Sequence, residues 1–304
     1  MKISTQTGPI DRKYGNDVCV KMLTDSGFDG IDYSLTGKAF PWNDEKFSNP
    51  HNQEFKQFFE CESERIRNHG IEIVQTHSPY RRPFQCDAEG YAMVLEQTIR
   101  AIYATGYMSA PYIVVHPVLH PDFNNGMNRE KGIEANIKYF SKLVPALKET
   151  GVVACIENLY WGNPYEAKTP NCCSAPDQLS EVIDTLNGIY GHHFAACLDT
   201  GHAIVCGYEP ADVLRKLGKR VSTLHIHDSL GILDDHLLPG AGIIKWDDFM
   251  DALYEVEYKG TFNFEADLYL EATAQPIYDT DVMQNSLNLL YSAGRAMTKK
   301  FQGL

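Results

Sequence analysis

The chain has 304 residues, of which 43% are hydrophobic and 22% are charged, a composition typical of a folded globular protein and not of a disordered chain. Its 27 Lys and Arg against 40 Asp and Glu give a net charge of −13, which argues against a nucleic-acid partner because such binding relies on neutralising phosphates. No apolar run reaches the roughly 18 residues that span a bilayer, the polar N-terminus is unlike a signal peptide, and the eight cysteines include no CxxC pair, so we expect a reduced, cytoplasmic protein with no membrane contact.

Short β-rich runs alternate with longer helical runs along the whole chain. Strands are predicted at residues 2–7, 30–34, 71–76, 112–115, 152–156, 194–198, 221–227 and 260–264. Helices are predicted at 16–26, 52–68, 88–105, 129–149, 175–187, 210–217, 246–256 and 280–299. The strands lack a period of two, as expected when both faces of a parallel sheet are buried.

Eight such strand–helix units favour one (β/α)₈ TIM-barrel domain over residues 1–304. An open doubly wound sheet is the alternative. No GxGxxG motif follows the first strand to support a dinucleotide site in such a sheet.

Side chains that can bind a metal stand at or just after the carboxyl ends of strands three to eight. They are His77, His116, Glu157, Asp199, His202, His225 and Glu265. Because the carboxyl ends of all barrel strands meet on one face, where active sites are built, we expect these groups to lie together.

Glu157, Asp199, His225 and Glu265 match the ligand set of a divalent cation such as Mn²⁺, Zn²⁺, Co²⁺ or Mg²⁺. Three carboxylates buried together repel one another, and a cation offsets that repulsion. Taken singly, each residue has a plainer interpretation. Glu157 can form a strand-end salt bridge, Asp199 can cap a helix, and His225 and His227 can be hydrogen-bonded core residues.

Two loops add candidates. The segment 234–242, which includes Asp234 and His236, follows strand seven and can reach over the site, or it is a solvated acidic loop. Arg81 and Arg82 follow strand three and can bind a phosphate or an acidic substrate group, or they lie on a solvated loop.

Seven short motifs carry these residues. They are His77-Ser78-Pro79-Tyr80, Val115-His116-Pro117, Cys155-Ile156-Glu157-Asn158, Cys197-Leu198-Asp199-Thr200-Gly201-His202-Ala203, Leu224-His225-Ile226-His227-Asp228, Asp234-Asp235-His236-Leu237-Leu238-Pro239-Gly240-Ala241-Gly242 and Phe264-Glu265. In this order and spacing the chain resembles, over about residues 1–295, the sugar phosphate isomerase/epimerase superfamily of xylose-isomerase-like TIM barrels, which also contains endonuclease IV.

The resemblance implies two different site arrangements. In the ketose 3-epimerases one divalent metal is held at the positions of Glu157, Asp199, His225 and Glu265, and the position of His202 contacts substrate. Those enzymes have an Arg three residues before the Pro-Gly of the loop, where this chain has His236. The endonuclease IV pattern implies three zinc ions. Its additional ligands are His77, His116, His202, Asp234 and His236, and His227 is a further candidate for metal or substrate binding.

The hypothesis that follows is a metal-dependent sugar isomerase or epimerase. The metal polarises a carbonyl, and Glu157 and Glu265 exchange a proton through an ene-diolate. We expect a sugar, polyol or sugar phosphate as substrate, and the resemblance implies a homo-oligomer. The alternatives are a multinuclear zinc phosphodiesterase or phosphatase, a polyol dehydratase, and a sugar-binding barrel without catalytic activity.

Overall fold

The computed structural model describes residues 1–36, 42, 44–80, 88–118, 128–162 and 169–301. The strands are β1 (Ile3–Gln6), β2 (Gly30–Ser34), β3 (Glu72–His77), β4 (Tyr112–Val115), β5 (Val153–Glu157), β6 (Tyr160–Trp161), β7 (Thr169–Pro170), β8 (Phe194–Asp199), β9 (Val221–His225) and β10 (Phe262–Phe264). The α-helices are α1 (Gly8–Tyr14), α2 (Asn16–Ser26), α3 (Gln53–Asn68), α4 (Ala88–Tyr107), α5 (Arg129–Phe140), α6 (Val144–Thr150), α7 (Pro176–Tyr190), α8 (Thr200–Val205), α9 (Pro210–Leu217), α10 (Trp246–Glu255), α11 (Asp267–Thr273) and α12 (Thr280–Met297).

Eight parallel strands form a barrel in the order β10-β1-β2-β3-β4-β5-β8-β9. The barrel closes just beyond β9, where the Ile226 amide donates to the Asn263 carbonyl at 2.8 Å and the Glu265 amide donates to the Ile226 carbonyl at 3.1 Å. The predicted (β/α)₈ barrel is therefore confirmed, and the open-sheet alternative is wrong.

The helices pack their apolar faces on the outside of the barrel. On α3 the fully buried residues Phe55, Phe59 and Ile66 follow helical spacing, and the ring of Phe47 packs edge-on against Phe55 at 5.9 Å. The predicted stop of α2 is confirmed, because Gly27 ends this helix with a left-handed φ of 93°. No helix among the described ranges is long and apolar enough to cross a membrane.

Several elements differ from the prediction. The helix predicted over 129–149 is two helices, α5 and α6, joined by a 3-10 turn, because Pro145 lacks the amide that a continuous helix needs. The short helices α1, α8 and α11 and the hairpin of β6 and β7 were not predicted. Each of these elements begins no more than two intervening residues after the carboxyl end of a barrel strand, so together they build the wall around the site.

Candidate metal centre

Four of the predicted ligands form one compact group at the carboxyl end of the barrel. Glu157, Asp199 and His225 end β5, β8 and β9, and Glu265 follows β10. One ligand atom from each lies within 4.8 Å of the others, and all four side chains are buried. We call these four residues the central group.

The donor atoms of the central group face one another. His225 Nδ1 lies 3.2 Å from Glu157 Oε1 and 2.7 Å from Glu265 Oε2. Although it lies close to His225 Nδ1, Glu265 Oε2 forms no hydrogen bond with any described residue. A buried carboxylate oxygen without a hydrogen bond is unfavourable, and a cation among these donors would satisfy it. Three carboxylates and one imidazole therefore fit a divalent ion, as predicted.

The other nitrogen of His225 is held by Asp32, a residue that the sequence did not single out. His225 Nε2 lies 3.1 Å from Asp32 Oδ2, which also accepts from Gln75 Nε2 at 2.8 Å and from Asn263 Nδ2 at 3.3 Å. This arrangement favours the imidazole tautomer that donates from Nε2 and leaves Nδ1 for an ion. The signal in the sequence is an aspartate in the middle of the short strand β2, where its side chain is buried.

We expect Asp32→Asn to weaken binding of a divalent ion by about 10- to 100-fold, because a neutral amide makes His225 less basic. The affinity of the metal-free protein for Mn²⁺ or Zn²⁺, measured by calorimetric titration, checks this. The matched control is Asp29→Asn, at the amino end of the same strand, where the carboxylate accepts from the Ile3 amide at 2.8 Å. Equal affinities in the two variants would contradict the role assigned to Asp32.

A second group shares Glu157 with the central group. We call His77, His116 and Glu157 the first side group; one ligand atom from each lies within 4.8 Å of the others. Glu157 Oε2 is 3.0 Å from His116 Nε2 and 3.7 Å from His77 Nε2. The His77 Nδ1 atom lies 2.9 Å from the Ser78 carbonyl, so its Nε2 is the nitrogen that faces Glu157.

A third group contains residues from the loop after β9. We call His202, His227, Asp234 and His236 the loop group. His202 Nε2 and His236 Nε2 lie 3.4 Å and 3.1 Å from Asp234 Oδ2, and the Tyr160 hydroxyl donates to the same oxygen at 2.8 Å. The Nδ1 atoms of His202 and His236 face backbone carbonyls at 3.0 Å and 2.7 Å, which directs both Nε2 atoms toward Asp234.

His227 connects the loop group with the central group. Its Nε2 lies 3.0 Å from each oxygen of Asp199, and its ring stacks on His236 with centroids 4.1 Å apart. Gly201 packs directly against this ring, and a side chain at that position would overlap it. The contacts of His227 with Asp199 are those of a residue that orients a metal ligand.

The loop that carries Asp234 and His236 is fastened to a buried carboxylate. Asp228 accepts from the Gly240 amide at 2.8 Å, from the Ile244 amide at 3.2 Å and from Trp246 Nε1 at 2.8 Å. These bonds fix both ends of the loop over the site. Residues 234–242 are thus an ordered wall of the site and not a solvated acidic loop.

Buried charges of opposite sign shift the pKa values of the site strongly. Burial raises the pKa of Glu157, but His225 and His116 outweigh it and hold that pKa well below its usual range. Burial lowers the pKa of His202, but Asp199 and Asp234 raise it well above the ordinary value. Asp234 likewise overcomes burial and raises the pKa of His236 to about 10.

We expect uptake of Zn²⁺ by the metal-free protein near pH 7.5 to release at least one proton per ion. Imidazoles with raised pKa values hold protons at this pH, and an ion must displace them. The apparent affinity of an ion bound by the loop group should therefore rise with pH up to about 10, the pKa of His236. Proton release is measured in weakly buffered solution with a pH indicator, and uptake without release would contradict the assignment.

All ten predicted site residues belong to these three groups. The two arginines of the predicted basic pair, Arg81 and Arg82, lie outside the described residues. Asp32 and Asp228 support the groups and were missed, because a contact partner of a ligand has no sequence signature of its own.

Known proteins share the fold and stretches of the sequence. The chain is 26% identical over 243 residues to a probable endonuclease 4 of Mycoplasmopsis synoviae, which covers 76% of this chain and 79% of that protein. It is 28% identical over 139 residues to the D-psicose 3-epimerase of Enterocloster bolteae, covering 46% of this chain and 42% of that one. The chain spans only 48% and 64% of the length of two uncharacterized relatives, y4fM of Sinorhizobium fredii and MJ1311 of Methanocaldococcus jannaschii.

A solved structure of IolI protein with a binding zinc atom matches this fold along its whole length. Its TM-score is 0.73 at 16% identity, with all of both chains covered. The family model of the xylose isomerase-like TIM barrel matches residues 20–284, which is most of the chain. The protein therefore belongs to the xylose isomerase-like TIM-barrel family.

Proposed function

We propose that the protein is a metal-dependent isomerase or epimerase of a sugar or sugar phosphate. The observation that carries the proposal is the placement of Glu157 and Glu265. Both carboxylates reach the same atom, His225 Nδ1, from strands that lie three positions apart around the barrel. A substrate bound to an ion at this group would therefore lie within reach of both carboxylates.

A divalent cation held by the central group would polarise a substrate carbonyl and acidify the neighbouring C–H bond. One of the two carboxylates then accepts that proton, giving an ene-diolate. The other carboxylate returns a proton to the opposite face of the same carbon in an epimerase, whereas an isomerase delivers it to the adjacent carbon. Gln6 Nε2 donates to Glu265 Oε1 at 2.5 Å, which fixes the orientation of this carboxylate and leaves Oε2 facing the other donors of the central group.

Residues of the first side group shape the entrance to this point. The Tyr80 ring stacks on His116 with centroids 4.6 Å apart and is 39% exposed at the mouth. An aromatic ring and an imidazole together form a flat wall with hydrogen-bonding edges, which suits a sugar ring or chain. Several similar proteins are named as epimerases, among them the D-psicose 3-epimerase and a D-tagatose 3-epimerase-like protein, and they support a small carbohydrate as the substrate.

Solvent-deuterium exchange tests the proposal directly. The Mn²⁺-loaded protein is incubated in D₂O with a panel of ketoses and aldoses, each with and without a phosphate group, and proton spectra are recorded. We expect deuterium at a carbon next to the carbonyl of at least one sugar. The proposal would be contradicted if none of the sugars exchanged in protein whose central group is occupied by Mn²⁺.

A multinuclear phosphodiesterase or phosphatase is the second candidate, and the two additional ligand groups favour it. The first side group and the loop group offer further nitrogen and oxygen donors beside the central group, as three ions would require. The net charge of −13 argues against DNA as its substrate. Elemental analysis separates the candidates: three zinc ions per chain with hydrolysis of bis(p-nitrophenyl) phosphate favour the hydrolase, and one ion with deuterium exchange favours the isomerase.

A further inference from the structure

Two adjacent cysteines lie in a turn beside the site and take no part in the proposed chemistry. Cys172 and Cys173 follow β7 and precede α7, and their Sγ atoms are 3.8 Å apart. The Ser174 amide donates to the Asn171 carbonyl at 3.0 Å and closes the turn around them. Cys173 has a φ of 71°, a conformation in which turns normally place Gly or Asn. A β-carbon kept in this conformation is strained, and retained strain points to a role for the side chain.

The two thiols differ in acidity. The hydrogen bond from the Cys173 thiol lowers the pKa of Cys172 in spite of its burial, and Arg129 acts in the same direction. The same hydrogen bond and burial raise the pKa of Cys173 well above its ordinary value. Cys172 is 5% exposed whereas Cys173 is fully buried, so a small oxidant reaches the Cys172 sulfur first, and the lowered pKa of Cys172 favours the same assignment.

We propose that Cys172 and Cys173 are a redox-active dithiol that a hydroperoxide converts reversibly into a disulfide. Cys172 sulfur attacks the peroxide, an S–O bond forms, the O–O bond breaks, and the departing oxygen takes a proton to leave as water or an alcohol. Cys173 sulfur then attacks the sulfenic acid, the S–S bond forms, and the S–O bond breaks. The hydroxide that leaves takes the Cys173 proton. The two thiols lose two electrons, and the peroxide gains them.

Hydrogen bonds link the turn that holds Cys172 and Cys173 to the loop group. Ser174 Oγ accepts from the Asn171 amide at 2.7 Å and donates to the Leu159 carbonyl, so the turn is bonded to the residue before Tyr160. The Tyr160 hydroxyl in turn donates to Asp234. A disulfide brings the sulfurs to about 2.05 Å, so the turn must shift when it forms. We therefore expect oxidation to displace Tyr160 and to weaken metal binding at Asp234, a link that rests on the metal site of the proposed function.

The test treats the metal-loaded protein with one to ten equivalents of hydrogen peroxide, followed by alkylation of the denatured protein and peptide mass spectrometry. We expect a loss of 2 hydrogens from the peptide that holds Cys172 and Cys173, protection of both from alkylation, and recovery with dithiothreitol. Cys61, which is exposed, serves as the internal reference for an ordinary thiol. Cys173→Ser removes the second thiol and should prevent the disulfide, and Cys173→Gly does so while relieving the strained φ. The proposal is refuted if both cysteines are still alkylated while Cys61 is oxidised. It is also refuted if Cys172 forms a disulfide with a cysteine other than Cys173.

The link to the site is tested separately by Zn²⁺ titration of the reduced and oxidised proteins. We expect the oxidised protein to bind Zn²⁺ several-fold more weakly, and Tyr160→Phe to remove the difference between the two states. Equal affinities in the two states would refute the link. Because disulfide formation is read by mass and not by turnover, its failure is distinguishable from failure of the proposed isomerase activity.

Discussion

Glu265→Gln is expected to reduce solvent-deuterium exchange at the substrate carbon by about 10²- to 10⁴-fold, the usual contribution of a general acid–base group. The amide oxygen can still accept the hydrogen bond from Gln6, so the fold is kept. The amide nitrogen replaces the oxygen that faces His225 Nδ1, and it cannot take up a proton at neutral pH. Exchange is followed by proton spectroscopy on the sugar that shows the highest rate with the unmodified protein.

Glu72→Gln is the matched control for this experiment. Glu72 begins β3 at the opposite end of the barrel, where it forms an exposed ion pair with Lys2. The same chemical change at this position should leave exchange unaltered, because exposed pairs contribute little. Exchange that persists at the original rate in Glu265→Gln would remove the proposed role of this carboxylate.

Gly201→Ala is expected to lower the free energy of unfolding by about 1–3 kcal/mol, the usual cost of overpacking a buried site. The new β-carbon overlaps the His227 ring, which is fully buried and backed by the stacked ring of His236. His227 must therefore move, and Asp199 loses the two contacts that orient it. Metal affinity of the central group should fall together with stability. Denaturant unfolding of the metal-free protein and calorimetric titration measure the two effects.

Gly188→Ala is the control for a glycine that has free space around it. Gly188 lies in α7, and a β-carbon there has no neighbour within 4 Å. Alanine is favoured over glycine in helices, so the free energy of unfolding of this variant should rise by up to about 1 kcal/mol. An unfolding free energy of Gly201→Ala that equals that of the unmodified protein would show that His227 is not held as described.

The barrel and its ligand face follow from local patterns. The buried strands β5 and β8 read as short apolar runs, and each ends in a polar residue, Glu157 or Asp199, that faces the site. Alternation of strands and helices then fixes which end of every strand points to the same face. The helix-cap interpretation of Asp199 is confirmed, because its side chain accepts from the His202 amide at the start of α8, and its role as a metal ligand stays a prediction.

The supporting contacts depend on placement that no local pattern encodes. Asp32 and His225 meet across the barrel although 193 residues separate them in the chain. Tyr160 reaches Asp234 only because the hairpin of β6 and β7 folds over the mouth. The break between α5 and α6, in contrast, has a local signal in the sequence. Pro145 in the first turn of α6 indicates that one continuous helix over 129–149 is unfavourable.

The central claim is that Glu157, Asp199, His225 and Glu265 hold one shared divalent ion. A crystal structure of the Mn²⁺- or Zn²⁺-loaded protein, with anomalous data collected at the edge of that metal, tests it most directly. We predict an anomalous peak about 2.0–2.2 Å from one oxygen of each carboxylate and from His225 Nδ1, with Nε2 still bonded to Asp32. Saturating metal with no peak among these four side chains would contradict the account.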